Sequence, residues 1–282
     1  MKKFVKVVMS GALVAAMGCT MAAIAGCGGD GDSEGLSGEI NITGSTSVNP
    51  LMLLLADAFE AENPDVTINV GAGGSGVGIS DAKEGKVDFG MASKPVEDAE
   101  LTTVQIAIDG IALIVNKDCT VTEVTKDEVY SLYVDHTAIQ GTITDAVARE
   151  SGSGTRDAFE ELIGIKDKAS IYQNMAEFGN QGLVVSEIED NNNVMGYVSL
   201  EALAGNDKIK GVSYKENDTA AAVAPTTENI TDGSYKLTRP FNIVYNTEKG
   251  LSDVTKAFID FMFSSKGQQI ISANGQITVE RK

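Results

Sequence analysis

Hydrophobic residues recur along this chain with two different periods. Ile40 and Ile42 alternate with polar residues, and Val66, Ile68 and Val70 do the same. A period of two indicates a half-buried strand, whereas apolar residues three and four positions apart indicate an amphipathic helix. Between these strands the helical spacing is carried by Leu51, Leu54, Leu55, Ala58 and Phe59, and Asn63-Pro64 closes the predicted helix. The order strand, helix, strand favours an α/β sheet.

Two stretches are apolar almost without interruption, residues 105–115 and residues 241–245. Such runs are typical of central strands that are buried on both faces. Because they lie far apart in the sequence, we interpret them as two crossings between two lobes. Amphipathic helices are predicted after Thr125, which starts a capping box, over residues 155–163, and over residues 252–263, which should pack on the first lobe.

The N-terminus has the pattern of a secretory signal peptide. Three lysines precede an apolar run of small residues that contains no acid, and Gly26-Cys27 follows. Residues 24–27 resemble the lipobox of bacterial lipoproteins, in which the cysteine is acylated and the preceding peptide is removed. Residues 1–26 are therefore predicted to be a signal peptide, Cys27 the lipidated residue, and residues 27–38 a polar, glycine-rich tether. Cleavage at Cys19 fits less well, because another apolar run follows it.

Composition limits the possible partners and chemistry. The 282 residues carry a formal charge of −18, and removal of residues 1–26, with three lysines and no acid, makes it −21. So acidic a surface makes nucleic acid an unsuitable partner. Cys119 is the one cysteine after Cys27, and His136 is the one histidine, so we expect no disulfide framework and no metal site. His136 is interpreted as a solvated loop residue.

Three turns rich in glycine and hydroxyl residues stand immediately before predicted helices. They are residues 44–47, residues 73–76 and residues 152–155. A helix N-terminus presents unpaired N–H groups and a partial positive charge, and glycine lets the backbone approach a bound anion closely. A single turn of this kind is most often an ordinary helix cap. Three in one chain favour an anion-binding site.

Two arginines flank the third turn. Arg149 precedes it by three residues, and Arg156 follows Thr155 directly. A guanidinium presents a fork of donors that fits two oxygens of a tetrahedral anion, and it stays charged at physiological pH. Arg149 is the first candidate ligand, with an ion pair to Glu150 as the alternative. Arg156 could bind the anion or face solvent.

These motifs together resemble the phosphate-binding proteins of bacterial phosphate ABC importers. The resemblance is carried by residues 149–159, by Gly44-Ser45-Thr46-Ser47-Val48-Asn49-Pro50-Leu51, by residues 87–93 and by Leu237-Thr238-Arg239-Pro240. It covers residues 39 to about 280. It implies a two-lobed α/β fold of the type II periplasmic-binding-protein family, with the ligand cleft between lobe 1 (residues 39–112 and 241–282) and lobe 2 (residues 113–240).

The resemblance also implies a function. The protein would capture inorganic phosphate without any chemistry, without a cofactor and without catalytic residues, and would deliver it to the permease and ATPase subunits of an importer. It would be a monomer, anchored by lipid on the extracytoplasmic face of the cell membrane. By motif position, the phosphate-binding residues would be Ser45, Thr46, Ser47 and Ser75 from lobe 1, and Arg149, Ser153, Gly154 and Thr155 from lobe 2.

One residue departs from the family pattern. Well-known members have an aspartate after the Ala-Ser pair, which accepts the proton of hydrogen phosphate and helps to reject sulfate. Here Lys94 stands at that place. A buried acceptor gives specificity because a ligand without the proton leaves it unpaired or repels it. Asp88 or Glu150 could replace the aspartate, and selectivity against sulfate is left open.

Three alternatives remain at the level of sequence. Residues 71–76 match G-x-G-x-x-G after a predicted strand, with Asp88 downstream, as in dinucleotide-binding enzymes, although the acid is closer than expected. A sensor of the same fold could signal an anion to a membrane partner. Another tetrahedral oxyanion, such as sulfate or molybdate, could be the ligand.

Overall fold

Strands and helices alternate along the computed structural model, which describes residues 35–166 and 168–281. The strands of the described residues are β1 (Gly38–Gly44), β2 (Val66–Val70), β3 (Phe89–Ala92), β4 (Leu101–Asn116), β5 (Glu123–Thr125), β6 (Asp145–Arg149), β7 (Ala176–Phe178), β8 (Val194–Ser199), β9 (Ile209–Gly211), β10 (Ser213–Lys215), β11 (Thr238–Asn246) and β12 (Ile277–Thr278). The helices are α1 (Asn49–Glu60), α2 (Ser75–Lys83), α3 (Lys126–Asp135), α4 (Gly154–Ile163), α5 (Gln181–Asp190), α6 (Thr227–Thr231), α7 (Asp253–Met262) and α8 (Ser265–Ala273), with a 3₁₀ helix at Leu200–Leu203.

Ten of the described strands form one mixed sheet. Its order is β2-β1-β3-β11-β4-β8-β6-β7, and β9 and β12 both pair with β4; β5 and β10 form a separate pair. The outer strands are parallel, β1 with β2 and β3, and β6 with β7 and β8. The central pairs around β4 and β11 are antiparallel. The predicted α/β class is therefore confirmed.

Strand β4 is shared by the two halves of this sheet. Its residues 101–110 pair with β11, and its residues 111–115 pair with β8. The burial of both faces explains why β4 reads as a nearly continuous apolar run. Both apolar stretches predicted to be crossing strands are strands, and each extends beyond the predicted bounds.

Two large hydrophobic cores lie on the sheet, and a third, small cluster contains Ala82, Val87, Leu101 and Val244. The first packs α1, α7 and α8 on the β1 side, with the Phe59 and Phe258 rings 5.1 Å apart. The second packs α3, α4 and α5 on the β8 side, where Phe159 stacks on Tyr197 at 4.0 Å. We call the part around the first core lobe 1 and the part around the second core lobe 2. The C-terminal helices lie in lobe 1, as the sequence predicts.

The local signals for helix ends are confirmed with small shifts. Thr125 Oγ1 accepts from Glu128 N at 3.2 Å, and Glu128 Oε2 accepts from Thr125 N at 2.8 Å, which is the predicted capping box. Helix α1 ends at Glu60, before Asn63-Pro64. The placement of Leu54 in the apolar face was wrong: it is 46% exposed, because the buried face of α1 contains Met52 and Ala56 instead.

The predicted signal peptide, Cys27 and residues 27–34 of the tether lie outside the described residues. Residues 35–37 are exposed and precede β1. Within the described ranges, no helix combines the length and the hydropathy needed to cross a membrane.

Candidate functional site

All three glycine and hydroxyl turns connect the end of a parallel strand to the start of a helix. The first joins β1 to α1, the second joins β2 to α2, and the third joins β6 to α4. In open α/β sheets, ligands bind outside the carboxyl ends of such strands. The local sequence thus creates three possible anion-binding turns, two on lobe 1 and one on lobe 2.

The fold brings these turns into contact across the two lobes. Gly76 N donates to Gly152 O at 3.0 Å, and the Ser47 and Thr155 hydroxyls lie 3.0 Å apart. Gly154 lies against the Ser75 side chain so closely that a Cβ atom on Gly154 would overlap the Ser75 hydroxyl. The first turns of α2 and α4 therefore meet at one place.

A buried cluster of hydroxyl groups lies at this meeting point. Ser45 Oγ donates to Ser93 Oγ at 2.9 Å, and the hydroxyls of Ser75 and Ser93 are 3.3 Å apart. Ser93 N also donates to Ser75 Oγ at 3.1 Å. Each of the three serines is at most 2% exposed. Hydroxyls can both donate and accept, so the cluster can match an oxyanion that carries zero or one proton.

Ser93 did not figure among the site residues predicted from the sequence. It directly follows β3, so it belongs to the same edge of the sheet as the turns. Its place in the motif of residues 87–93 was the available signal. That motif precedes no helix, so the pattern of a helix N-terminus does not mark Ser93.

Arg149 is the last residue of β6, and its side chain is fully inside the protein at 1% exposure. Arg149 Nη2 donates to Thr46 Oγ1 of lobe 1 at 2.9 Å. Arg149 Nε donates to Glu150 Oε2 at 2.8 Å and to the Phe178 carbonyl at 3.2 Å, and Nη2 donates to Glu150 Oε1 at 2.9 Å. The ion pair with Glu150, considered as an alternative to a binding role, exists and fixes the orientation of the guanidinium.

The remaining terminal nitrogen of Arg149 is free of such contacts. Nη1 is buried and has no hydrogen-bond partner among the described residues. A buried donor without a partner costs about 1–3 kcal/mol, and more when it is charged. An anion beside Nη1 would satisfy this donor. The ion pair with Glu150 and a role in anion binding are therefore compatible, because Glu150 holds one edge of the guanidinium and leaves Nη1 available.

Arg156 does not face the hydroxyl cluster. Its Nε donates to Glu160 Oε1 and its Nη1 to Glu177 Oε1, both at 2.7 Å, and Nη1 also donates to the Arg149 carbonyl at 2.9 Å. These contacts fit neither of the two roles considered for Arg156, anion binding and exposure to solvent. Arg156 braces the end of β6, and through it the backbone of Arg149.

The predicted hydroxyl ligands occupy different depths. Ser45, Ser47, Ser75, Ser153 and Thr155 are at most 2% exposed, whereas Thr46 is half-buried and lines a surface pocket with Asn49, Pro50, Ala72 and residues 179–182. Ser153 is the N-cap of α4, and its hydroxyl accepts from Arg156 N at 3.4 Å. Thr46 is therefore the most exposed of the predicted hydroxyl residues.

The two acids considered as proton acceptors are both committed elsewhere. Asp88 Oδ2 accepts from Asn41 N at 2.8 Å, and Asp88 stands before β3 whereas Ser93 stands after it. Glu150 uses both carboxylate oxygens for Arg149. Lys94 forms an ion pair with Asp157 on α4. The carboxylates of Glu150 and Asp157, which flank the third turn, are therefore each paired with a cation.

A second buried network lies where the crossing strands pair. Arg239 of β11 and Asp109 of β4 are register partners, and Arg239 Nε and Nη2 donate to Asp109 Oδ2 at 3.0 and 2.9 Å. Ser199 Oγ donates to Asp109 Oδ1 at 2.7 Å. Burial raises the pKa of the Asp109 carboxyl and lowers the pKa of the Arg239 guanidinium. The network ties β4, β8 and β11 together between the lobes.

The histidine and the cysteine considered from the sequence, His136 and Cys119, both lie in structural positions. His136 is exposed, caps α3 in the left-handed region at φ 55°, and stacks on Tyr172. Cys119 is buried and forms no disulfide. Within the part of the chain that the structure describes, no group of three or more His, Cys, Asp or Glu side chains could hold a metal ion.

Two lobes on one sheet, with a buried arginine and hydroxyl cluster where they meet, define a solute-binding protein. The family model of the PBP superfamily domain matches residues 32–266. The chain is 32% identical over 272 residues to the phosphate-binding protein PstS of Staphylococcus haemolyticus, covering 86% of this chain and 84% of that protein. It is 32% identical over 257 residues to PstS of Staphylococcus saprophyticus, covering 84% and 78%.

Solved structures agree. A putative phosphate ABC transporter substrate-binding protein from Clostridium perfringens, solved with bound phosphate, is 36% identical with a TM-score of 0.78 and matches 86% of this chain and 100% of that one. An ABC-type phosphate transport receptor from Vibrio cholerae is 28% identical with a TM-score of 0.68, matching 85% and 100%. The chain belongs to the PBP superfamily and, within it, to the PstS family of phosphate-binding proteins.

This membership decides between two of the classes considered from the sequence. The protein is a substrate-binding protein and not an enzyme. The turn at residues 71–76 that matches G-x-G-x-x-G packs on Gly152 of the third turn, through the bond from Gly76 N. The interpretation as a dinucleotide-dependent enzyme is therefore wrong.

Proposed function

We propose that this protein captures inorganic phosphate between its two lobes and delivers it to an ABC importer. The observation that carries the proposal is the buried Arg149 guanidinium, whose Nη1 lacks a hydrogen-bond partner and whose Nη2 reaches Thr46, the residue after Ser45 of the hydroxyl cluster. A fixed guanidinium with several hydroxyls and helix N-termini suits a dehydrated tetrahedral oxyanion. The PstS relatives and the phosphate-bound protein from Clostridium perfringens support phosphate as that anion.

The proposed binding residues come from both lobes. Lobe 1 supplies the first two turns, and lobe 2 supplies Arg149 and the start of α4. The set is Ser45, Thr46, Ser47, Ser75, Arg149, Ser153, Gly154 and Thr155. We add Ser93, because it forms hydrogen bonds with Ser45 and Ser75.

The proposed lobe boundaries follow the crossing strands. Lobe 1 contains residues 39–112 and 241–282, and lobe 2 contains residues 113–240. The two hydrophobic cores support this division, since the first lies within the former ranges and the second, from Ile111 to Leu237, almost entirely within the latter. Strands β4 and β11 are the natural hinge, because they carry the covalent connections between the cores.

Delivery to the importer places the protein outside the cytoplasm. The signal-peptide pattern of residues 1–26 and the lipobox-like residues 24–27 support acylation of Cys27, with residues 27–38 as the tether. The protein would then be held on the extracytoplasmic face of the cell membrane, where it would deliver the phosphate to an importer made of permease and ATPase subunits. We expect a monomer.

Calorimetric titration of the mature chain, residues 27–282, stripped of bound anion, tests the proposal. Phosphate should bind saturably with one site per chain. No binding of phosphate at neutral or lower pH would contradict the proposed function. Titration with sulfate reports on the ligand's proton. Binding of both anions would mean that hydroxyls such as Ser93, which can donate as well as accept, face that position, whereas rejection of sulfate would require an acceptor that cannot donate, such as a carboxylate.

A further inference from the structure

One ion pair spans the two lobes beside the hydroxyl cluster. Lys94 directly follows Ser93 on lobe 1, and Asp157 lies in the first turn of α4 on lobe 2, two residues after Thr155. The Lys94 ammonium bonds Asp157 Oδ2. The side chains are 27% and 35% exposed, so the pair lies at the rim of the contact between the lobes.

The backbone on each side of this pair is held in place. The Lys94 carbonyl accepts from Asn242 Nδ2 of β11 at 2.9 Å, which fixes Lys94 to a crossing strand. Asp157 N donates to Ser153 O at 3.0 Å within the start of α4. Any movement that separates α4 from the Ser93 segment therefore breaks the ion pair.

Each charge has an opposite effect on a nearby anion when it stands alone. An unpaired Asp157 would repel an anion at the third turn, whereas an unpaired Lys94 would attract it. As a pair they are neutral. Hence a purely local electrostatic role predicts that removal of the two charges changes affinity in opposite directions.

We propose that Lys94 and Asp157 form a latch that holds lobe 2 against lobe 1 over the candidate anion site. Both are positioning residues: they keep the α4 turn over Ser75 and Ser93, and neither needs to touch the ligand. A latch made only in the closed form acts on the dissociation rate. The proposal rests on the proposed capture of phosphate and adds the residues that retain it.

The latch predicts the same effect from loss of either charge. Lys94→Met and Asp157→Asn should each speed phosphate release by about five-fold, the upper range for a partly exposed ion pair. The double variant Lys94→Met with Asp157→Asn should also release phosphate about five-fold faster, because no ion pair remains, whereas a purely local electrostatic role predicts that the two changes cancel. Lys266→Met is the matched control, because Lys266 pairs with Glu62 within lobe 1 and should leave release unchanged.

Stopped-flow kinetics of phosphate release from the mature chain and these variants give the test. The latch is wrong if Asp157→Asn binds phosphate more tightly than the wild type, or if the double variant melts normally but releases phosphate as slowly as the wild type. If the wild type binds no phosphate, the proposed function fails instead. Small-angle scattering then still judges the latch, because Lys94→Met should enlarge the radius of gyration and the double variant should enlarge it by the same amount.

Discussion

Arg149 combines two tasks at the scale of a single residue. Glu150 and the Phe178 carbonyl hold its Nε edge, and Nη2 reaches Thr46 on the other lobe. A side chain held in this way loses little further entropy when Nη1 meets an anion. In the proposed site, Glu150 therefore supports Arg149 and does not compete with the anion for Nη1.

Replacing Arg149 by lysine tests the fork of donors separately from the charge. Arg149→Lys keeps a cation but loses the paired contacts with Glu150 and Thr46. Phosphate affinity should fall by more than about ten-fold, since a hydrogen bond to a charged group contributes about 1.5–3 kcal/mol. Calorimetry measures it, with Arg281→Lys, at an exposed pair with Asp260, as the control. Unchanged affinity in a folded Arg149→Lys protein would remove this residue from the site.

Helix α4 sets the geometry at the scale of elements. Its first residue, Gly154, packs on the Ser75 and Ser93 hydroxyls, and the glycine is required there because a Cβ would overlap Ser75. The start of one helix thus serves as the contact surface of the other lobe. Sequence alone assigns Gly154 to a helix start, and the packing explains why no larger residue fits.

Gly154→Ala should therefore weaken phosphate binding by at least about ten-fold, because the added methyl keeps the lobes apart where donors must converge. The measurement is again a phosphate titration. Gly179→Ala is the matched control. Gly179 lines the neighbouring pocket with Thr46 and has open space for a Cβ atom, so this variant should bind phosphate as the wild type does. Equal affinity of Gly154→Ala and the wild type would contradict this account of the contact.

The crossing strands depend on the Asp109–Arg239 pair. Both side chains are at most 1% exposed. Asp109→Asn leaves the Arg239 guanidinium buried without its counter-ion, which costs about 3–5 kcal/mol. Urea unfolding should report that loss. Asp253→Asn, at a carboxylate that is 95% exposed, should change stability by less than about 0.5 kcal/mol. If the free energy of unfolding fell by a similar amount in both variants, the Asp109–Arg239 pair would have no special role in stabilising the fold.

The whole molecule carries a formal charge of −18, or −21 without residues 1–26, yet is proposed to bind an anion. The answer is local: the arginine, the hydroxyls and the helix N-termini act at short range, where the surrounding acids are paired or solvated. At long range the net charge repels phosphate. The approach of phosphate is therefore opposed by the negative net charge, whereas its binding in the proposed site is favoured by the local positive field.

This separation predicts an unusual salt dependence. Between about 20 and about 200 mM NaCl the Debye length falls from about 20 to about 7 Å, which screens the long-range repulsion. The phosphate association rate should rise by about two-fold or more, with little change in the dissociation rate. Stopped-flow kinetics at fixed pH measure both. A falling association rate would show that a positive field around the cleft dominates the approach.

Local patterns in the sequence are enough to predict the α/β class, the two crossing strands, the capped helices and the three turns with Arg149. These features are local: a period of two or 3.6, a cap, or a glycine next to hydroxyls is visible within a few residues. The resemblance to phosphate-binding proteins came from the same turns. This part of the fold and site was predictable because strand ends and helix starts create the chemistry directly.

The tertiary structure decided which side chains meet. Lys94 is 63 positions from Asp157, and Ser45 is 48 positions from Ser93. The same packing turns Arg156 toward Glu160 and Glu177 and keeps Asp88 on Asn41. No periodicity encodes such pairs, because they depend on how two separate cores place their helices against one sheet. A polar side chain forms hydrogen bonds with donors and acceptors that the fold places within about 3 Å of it, whatever their distance in the sequence.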